Sequence, residues 1–132
     1  MATTTATVKT SLLQNGTFIQ PDTLRQTFNV TTIAAAGTTI ADATPIGNTQ
    51  PFVIISNNTA ANGVLLPVAA YIGQQIVIYP ALVTNAPKVY PPTSLGTINS
   101  GTAGASVAST ARKAIVYTAI DRTGINWVTT GL

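Results

Sequence analysis

Short apolar runs separated by turn-forming residues are the feature that most constrains the fold of this chain. Runs typical of strands recur roughly every 8 to 12 positions, with Gly, Pro or Asn between them. No segment keeps a helical apolar period over three turns, and Gly37 stops the Ala-rich stretch 33–36. The sequence therefore predicts an all-β protein, built as a single β-sandwich or a jelly-roll-like barrel.

The strand predictions follow from these runs. Pro87 and Pro91 bracket a short run between them, which predicts an edge strand there. Trp127 alternates with Asn126 and Val128, so we expect its ring to fill the core. Apart from Thr-Thr-Ile at 31–33 and 38–40, no internal repeat is evident. The predicted strands are residues 27–33, 38–41, 52–56, 63–66, 74–79, 87–90, 97–99, 106–109, 113–120 and 125–129.

The domain organisation is simple, because 132 residues make one ordinary domain. Residues 1–24 begin with a Thr- and Ala-rich stretch without period, and Asn15-Gly16 between two short apolar runs is typical of a tight hairpin. We predict an extended N-terminal arm or short hairpin over 1–24 and a β-sandwich domain over 25–132.

The surface of this protein must be polar without being charged. Charged residues are only 7% of the chain, whereas it holds 24 Thr, 6 Ser, 9 Asn and 6 Gln. Such a surface carries little repulsion between neighbouring molecules, and near-neutral surfaces promote association. One interpretation is an ordinary β-protein with a Thr-rich exterior, and the other is a protein that packs beside other proteins.

The residue types needed for most catalytic and metal sites are missing. The chain has no Cys, no His and no Glu, and its acidic residues are Asp22, Asp42 and Asp121. Each aspartate lies in a turn-like context, where Asx-type bonds to the local backbone are the expected role. The glycines of 101–104 are not followed by the Lys-Ser/Thr of a phosphate loop. We predict no catalytic, cofactor-binding or metal-binding residue, and therefore no enzyme.

Charge and hydropathy argue against nucleic-acid and membrane partners. The net charge of +3 comes from scattered residues, of which only Arg112 and Lys113 are adjacent, whereas nucleic-acid binding needs clustered cations. The most apolar run, Val64 to Ile72, is broken by Pro67, and a membrane helix needs about 20 residues. The first residues do not form a secretory signal, which predicts synthesis in the cytoplasm.

The aromatic residues allow two interpretations. They could form a sugar-stacking platform or a binding hot spot, or they could fill the core. Tyr79 and Tyr90 each precede a proline, and such strand ends could reach a neighbouring molecule. The residues in question are Tyr71, Tyr79, Tyr90, Tyr117 and Trp127.

About half the chain resembles a known group of phage proteins. The order of turns and apolar strands is similar to that of head decoration (cement) proteins of tailed bacteriophages, and related patterns occur in tail and fibre components. The segments that carry the resemblance are 63–67 (GVLLP), 72–79 (IGQQIVIY), 88–91 (KVYP), 96–99 (GTIN), the small residues 101–106, and the apolar strand that ends near Trp127.

The resemblance implies a virion structural protein on the capsid exterior. Such proteins are β-sandwich or jelly-roll-like, are often homotrimers near a local three-fold axis, and bridge major capsid protein subunits after head expansion. Dimeric cement proteins also exist, and no binding residue can be transferred. The alternatives that stay open are a phage tail, neck or fibre component and a carbohydrate-binding β-domain.

Overall fold

The computed structural model describes residues 29–57, 59 and 61–131, and this part of the chain folds into two mixed β-sheets without a helix. The two-sheet, all-β prediction is confirmed, whereas the arm and the Asn15-Gly16 hairpin lie outside the described residues. The strands are β1 (Val30–Ile33), β2 (Thr44–Pro45), β3 (Phe52–Ile55), β4 (Gly63–Leu65), β5 (Gln75–Pro80), β6 (Lys88–Tyr90), β7 (Val107–Ala108), β8 (Ile115–Ala119) and β9 (Trp127–Gly131).

The chain crosses from one sheet to the other at each of its first five connections. One sheet has the order β1-β3-β5-β8-β9 and the other the order β2-β4-β6-β7. Strands β1, β3 and β5 are parallel, as are β2, β4 and β6. The pairs β1–β2, β3–β4 and β5–β6 are therefore three stacked coils, followed by the antiparallel strands β7, β8 and β9. All strand pairs of a jelly roll are antiparallel, whereas four of the strand pairs here are parallel, so this chain does not have jelly-roll connectivity.

The core lies between the sheets and is filled by every second residue of the longer strands. Val53 and Ile55 of β3 and Ile76 and Ile78 of β5 are almost completely buried. Trp127 is 0% exposed, which confirms its predicted place in the core. Other members of the cluster are Ala35, Ile46, Val64, Leu66, Val89, Ile98, Tyr117 and Ala119.

The outward face of the five-stranded sheet is also apolar. The register places Val30, Phe52, Val77 and Val116 side by side across four strands. Val30 is 57% exposed, and the other three are half-buried. These four residues, called the outer row below, alternate with core residues along their strands and so point away from the second sheet.

Amide side chains connect one coil to the next. Asn57 binds both backbone groups of Ala35, accepting its N–H at 2.7 Å and donating to its carbonyl at 2.6 Å, and Asn62 donates to the same carbonyl at 3.0 Å. Asn99 accepts the N–H of Thr129 at 2.7 Å. Buried or half-buried backbone groups need such partners. Amides thus supply them at connections where the sheet ladders end.

Three strand predictions were wrong. Residues 38–41 form a turn, because the Asp42 carboxylate accepts the N–H groups of Thr38 and Thr39 and so closes the backbone. The segment 97–99 contributes one bridge, at Ile98, and ends where Asn99 turns left-handed with φ 56°. Strand β6 is central rather than an edge, since its flanking prolines lie outside Lys88–Tyr90 and leave the strand's N–H groups free to pair.

Replacing Tyr117 with Phe tests a polar group in the core. The Tyr117 hydroxyl and the Trp127 indole N–H are buried and have no hydrogen-bond partner within the described residues. Removing such a hydroxyl costs little, so the free energy of unfolding of Tyr117→Phe should stay within about 1 kcal/mol of wild type or rise. Trp127→Ala should lose about 3–5 kcal/mol. Urea unfolding followed by circular dichroism measures both, and a loss of ~2 kcal/mol or more in Tyr117→Phe contradicts the expectation.

The same tyrosine predicts a weakness at alkaline pH. Burial raises the pKa of Tyr117 well above its ordinary value of 10.0. The unfolded chain releases this proton more readily than the folded chain, so stability should fall as the pH rises above about 10. Melting temperatures measured across this range should fall less steeply in Tyr117→Phe than in wild type. Equal slopes would show that Tyr117 does not cause the loss.

Candidate interaction surface

The connections between strands gather at two ends of the sandwich. Because the coils are parallel, alternate connections leave from the same end. We call one of these the distal end. The other is formed by the remaining connections, and we call it the opposite end. The distal end consists of residues 46–51, 66–74, 91–106 and 120–126.

Exposed apolar side chains concentrate at the distal end. Val68, Ile72, Leu95 and Ile120 lie there with exposed fractions between 45% and 75%. We call these four the distal patch, and Tyr71, 65% exposed, lies beside it. Single exposed apolar residues are ordinary, whereas several at one end of a monomer indicate an interaction site.

Backbone hydrogen bonds hold the connections of the distal end together. Ala69 N–H donates to the Gly124 carbonyl and Gly73 N–H to the Ala119 carbonyl, both at 2.8 Å. Gly124 has φ 71°, and a Cβ there would lie 2.4 Å from the Ala69 carbonyl oxygen. Only glycine fits this left-handed close approach. The apolar side chains are thus carried on connected turns.

Asp121 organises the turn between β8 and β9. Its carboxylate accepts bonds from the Thr123 hydroxyl at 2.9 Å, from the Gly124 N–H at 3.1 Å and from the Asn126 side chain. Asn126 in turn accepts the N–H of Thr97 at 3.0 Å, which ties in the 91–106 connection. The Asn126 amide, with help from Thr123 and Gly124, lowers the pKa of Asp121 below 3.8. The turn role predicted for Asp121 is confirmed.

The other aspartate with described surroundings also belongs to a turn. Asp42 accepts from the Thr39 hydroxyl at 2.7 Å as well as from two N–H groups, and these bonds, led by Thr39, lower its pKa. Its turn role is confirmed, whereas Asp22 lies outside the described residues. Asp42 belongs to the β1–β2 connection at the opposite end, so the structure does not bring Asp42 and Asp121 together.

The four basic residues that the structure describes are distributed unequally between the ends. Lys88, Arg112 and Lys113 lie in or beside connections of the opposite end, and Arg122 lies at the distal end. Within the described ranges, no three His, Cys, Asp or Glu residues are grouped as a metal site would require. That same part of the chain contains no helix with the length and hydropathy needed to cross a membrane.

The aromatic residues singled out from sequence have different environments. Tyr90, Tyr117 and Trp127 are buried, and the Tyr90 hydroxyl donates to the Thr38 carbonyl. Tyr90 therefore cannot reach a neighbouring molecule, and Trp127 cannot stack on a sugar. Tyr79 is half-buried on the outward face of β5, which leaves Tyr71 as the exposed aromatic of these five.

Sequence reasoning did not identify the distal patch. The apolar run Val64 to Ile72 continues beyond the end of β4 and past Pro67. An apolar run that outlasts its strand places side chains in a surface connection. The continuation of this run past its strand therefore marks Val68 and Ile72 as surface residues in the sequence itself.

Changing Asp121 to Asn should make the distal end less stable to heat at neutral pH. The lowered pKa means that Asp121 stabilises the fold above about pH 4, and this contribution is lost as the pH falls through its folded-state value. The melting temperature of Asp121→Asn should therefore be lower than that of wild type at pH 7. It should also fall less than that of wild type as the pH is lowered. Asp42→Asn, at the opposite end, should behave in the same way, because the pKa of Asp42 is lowered as well. Identical acid profiles for wild type and both variants would contradict this account.

Comparisons with known proteins add no family assignment. No protein-family model matches the chain, and no curated protein matches it.

Proposed function

We propose that this chain is a capsid decoration protein of a tailed bacteriophage. It would bind the outer surface of the head, bridge major capsid protein subunits and stabilise the expanded shell, with no catalytic role. The observation that carries this proposal is the distal patch on a protein with only 7% charged residues. Apolar residues on a neutral surface favour contact with another protein.

The physical basis is binding that distinguishes two states of the shell. A protein that binds the expanded lattice and not the collapsed one stabilises the expanded state by about 2.7 kcal/mol when its free concentration is 100 times the dissociation constant. Many copies repeat this gain over the lattice. Contacts between neutral groups avoid the desolvation of charges, which often cancels the gain from buried ion pairs.

Preorganised turns reduce the cost of binding. Ordering a loop on association costs free energy, and a loop that is already fixed avoids that cost. The bonds of Ala69, Gly73 and Asp121 fix the connections that carry the distal patch. A rigid apolar end suits a partner that presents the same surface at every lattice position.

The proposal includes self-association as a homotrimer and an N-terminal arm over about residues 1–10 that lies across a neighbouring subunit. The outer row supports a contact between copies, because an apolar row across four strands can be covered by the adjoining surface of the next copy. In a closed trimer this contact is head-to-tail, so each outer row packs against a different surface of its neighbour. Such contacts would leave the distal patch of each copy available to the shell.

Shells assembled without this protein provide the test of the distal patch. Burying a Leu or Ile side chain is worth about 1.5–3 kcal/mol, so Ile72→Asp with Leu95→Asp should weaken binding at least ~10-fold. Val83→Asp is the control, because Val83 is 59% exposed at the opposite end. Co-sedimentation with purified expanded heads measures occupancy.

Two results would contradict the proposal. One is equal occupancy of heads by wild type and the double variant. The other is electron microscopy of the virion that places the chain on the tail, with a copy number set by tail symmetry. Removing residues 1–10 checks the arm separately, since occupancy should then fall.

Sedimentation equilibrium tests the oligomer. We expect a mass of three 13.5 kDa chains, and a smaller mass for Val30→Lys, because this change puts a charge into the outer row. Val83→Lys, at the opposite end, should keep the wild-type mass. A single-chain mass for the wild-type protein at working concentrations would contradict the trimer.

A further inference from the structure

A cleft opens at the distal end between the β2–β3 and β4–β5 connections. Its volume is about 410 Å³, within the range of about 300–1,000 Å³ usual for small-molecule sites. The side chains that matter for recognition are Asn48, Thr49, Gln50, Tyr71, Gln74 and Gln75.

A buried amide forms the floor of this cleft. Gln74 is 5% exposed; its Oε1 accepts the Ala70 N–H at 2.7 Å and its Nε2 donates to Asn48 Oδ1 at 2.6 Å. Asn48 donates to the Val68 carbonyl at 2.9 Å. These bonds join the two walls, so the cleft is formed before any ligand arrives.

The groups at its mouth are neutral and polar. Gln50 Oε1 accepts the Gly47 N–H at 3.0 Å. The amide nitrogen of Gln50 can therefore donate a hydrogen bond to a ligand in the cleft. Thr49 adds a hydroxyl, and Gln75 adds an amide that bonds Thr118 only at 3.4 Å. No Asp, Glu, Lys or Arg is among the residues that line the cleft. Amides and hydroxyls both donate and accept, as the hydroxyl groups of a sugar do.

Tyr71, together with Pro51 and Ala70, supplies the apolar part of the site. Tyr71 is 65% exposed and lies beside these amides. The electron-rich face of an aromatic ring attracts C–H groups, which one face of a pyranose ring presents. A phosphate or carboxylate ligand would need a cation, and Arg122, the basic residue of the distal end within the described ranges, is not among the residues that line the cleft.

We propose that this cleft binds a neutral saccharide, with Tyr71 stacking on the sugar and Gln50, Thr49 and Gln75 bonding its hydroxyl groups. This inference goes beyond shell binding and does not depend on it. The two are separable in experiment, because the distal patch residue Leu95 is not part of the cleft.

Ligand-observed NMR of the purified full chain with D-glucose, D-galactose, D-mannose, N-acetylglucosamine and maltotriose tests the proposal. We expect at least one of these to bind with a millimolar dissociation constant. Tyr71→Ala should weaken that binding at least ~10-fold, and Tyr71→Phe should keep it, because the ring face remains. Gln50→Ala should weaken it several-fold. Leu95→Ala is the matched control and should bind as wild type.

Three results would overturn the inference. They are no binding of any of the five sugars at tens of millimolar, unchanged binding by Tyr71→Ala, and tighter binding of adenosine or glucose 6-phosphate than of every neutral sugar. Melting temperatures of the variants show that each is folded. A chain that binds sugars but not expanded heads would support this inference and contradict the decoration proposal. A chain that binds expanded heads but no sugar would contradict this inference and support the decoration proposal.

Discussion

Hydrogen bonds from amide side chains to the backbone of a neighbouring coil are the interaction on which this structure depends. The coils contain short strands, and β2 and β7 have two residues each. Ladders this short leave many backbone groups of the connections without a strand partner. Asn57 and Asn62 bind the backbone of Ala35, Gln74 donates to the Asn48 carbonyl at 3.1 Å, and Asn99 accepts the N–H of Thr129 in β9. These bonds join segments that lie far apart in the sequence. Neutral amide bonds therefore join one coil to the next, while the carboxylates of Asp42 and Asp121 close individual turns. The amide bonds keep their strength at high salt because no ion pair is screened.

Most strands were predictable from the sequence, but their arrangement was not. Apolar runs closed by Asn, Gly or Pro identified β3, β4, β5, β6 and β8 within one or two residues. The sequence contains no comparable signal for the parallel stacking of the coils. Equivalent positions of successive coils, such as Val30, Phe52 and Val77, share apolar character but no repeated motif, and their spacing changes from 22 to 25 residues. Coils of unequal length hide the repeat from any search at a fixed period.

The errors have local physical causes. Residues 38–41 combine Thr and Ile, which favour strands, but the Asp42 carboxylate bonds two of their N–H groups and turns the chain. The sequence context predicted the turn roles of Asp42 and Asp121 and the burial of Trp127, because each depends on neighbours within a few positions. The distal patch and the cleft depend on connections distant in sequence, such as 46–51 and 66–74, and only the coil stacking brings them together.

The stacked-coil connectivity has a consequence for how such a protein can change over time. Each coil contacts mainly the coil before and after it, as in other solenoid-like proteins. Gain or loss of one coil would leave the internal contacts of the others intact, and it would alter the height of the molecule by one strand spacing of about 4.8 Å. The antiparallel strands β7, β8 and β9 would still close the stack. Variants with a wider or narrower stack are thus accessible through single insertions, without a redesigned core.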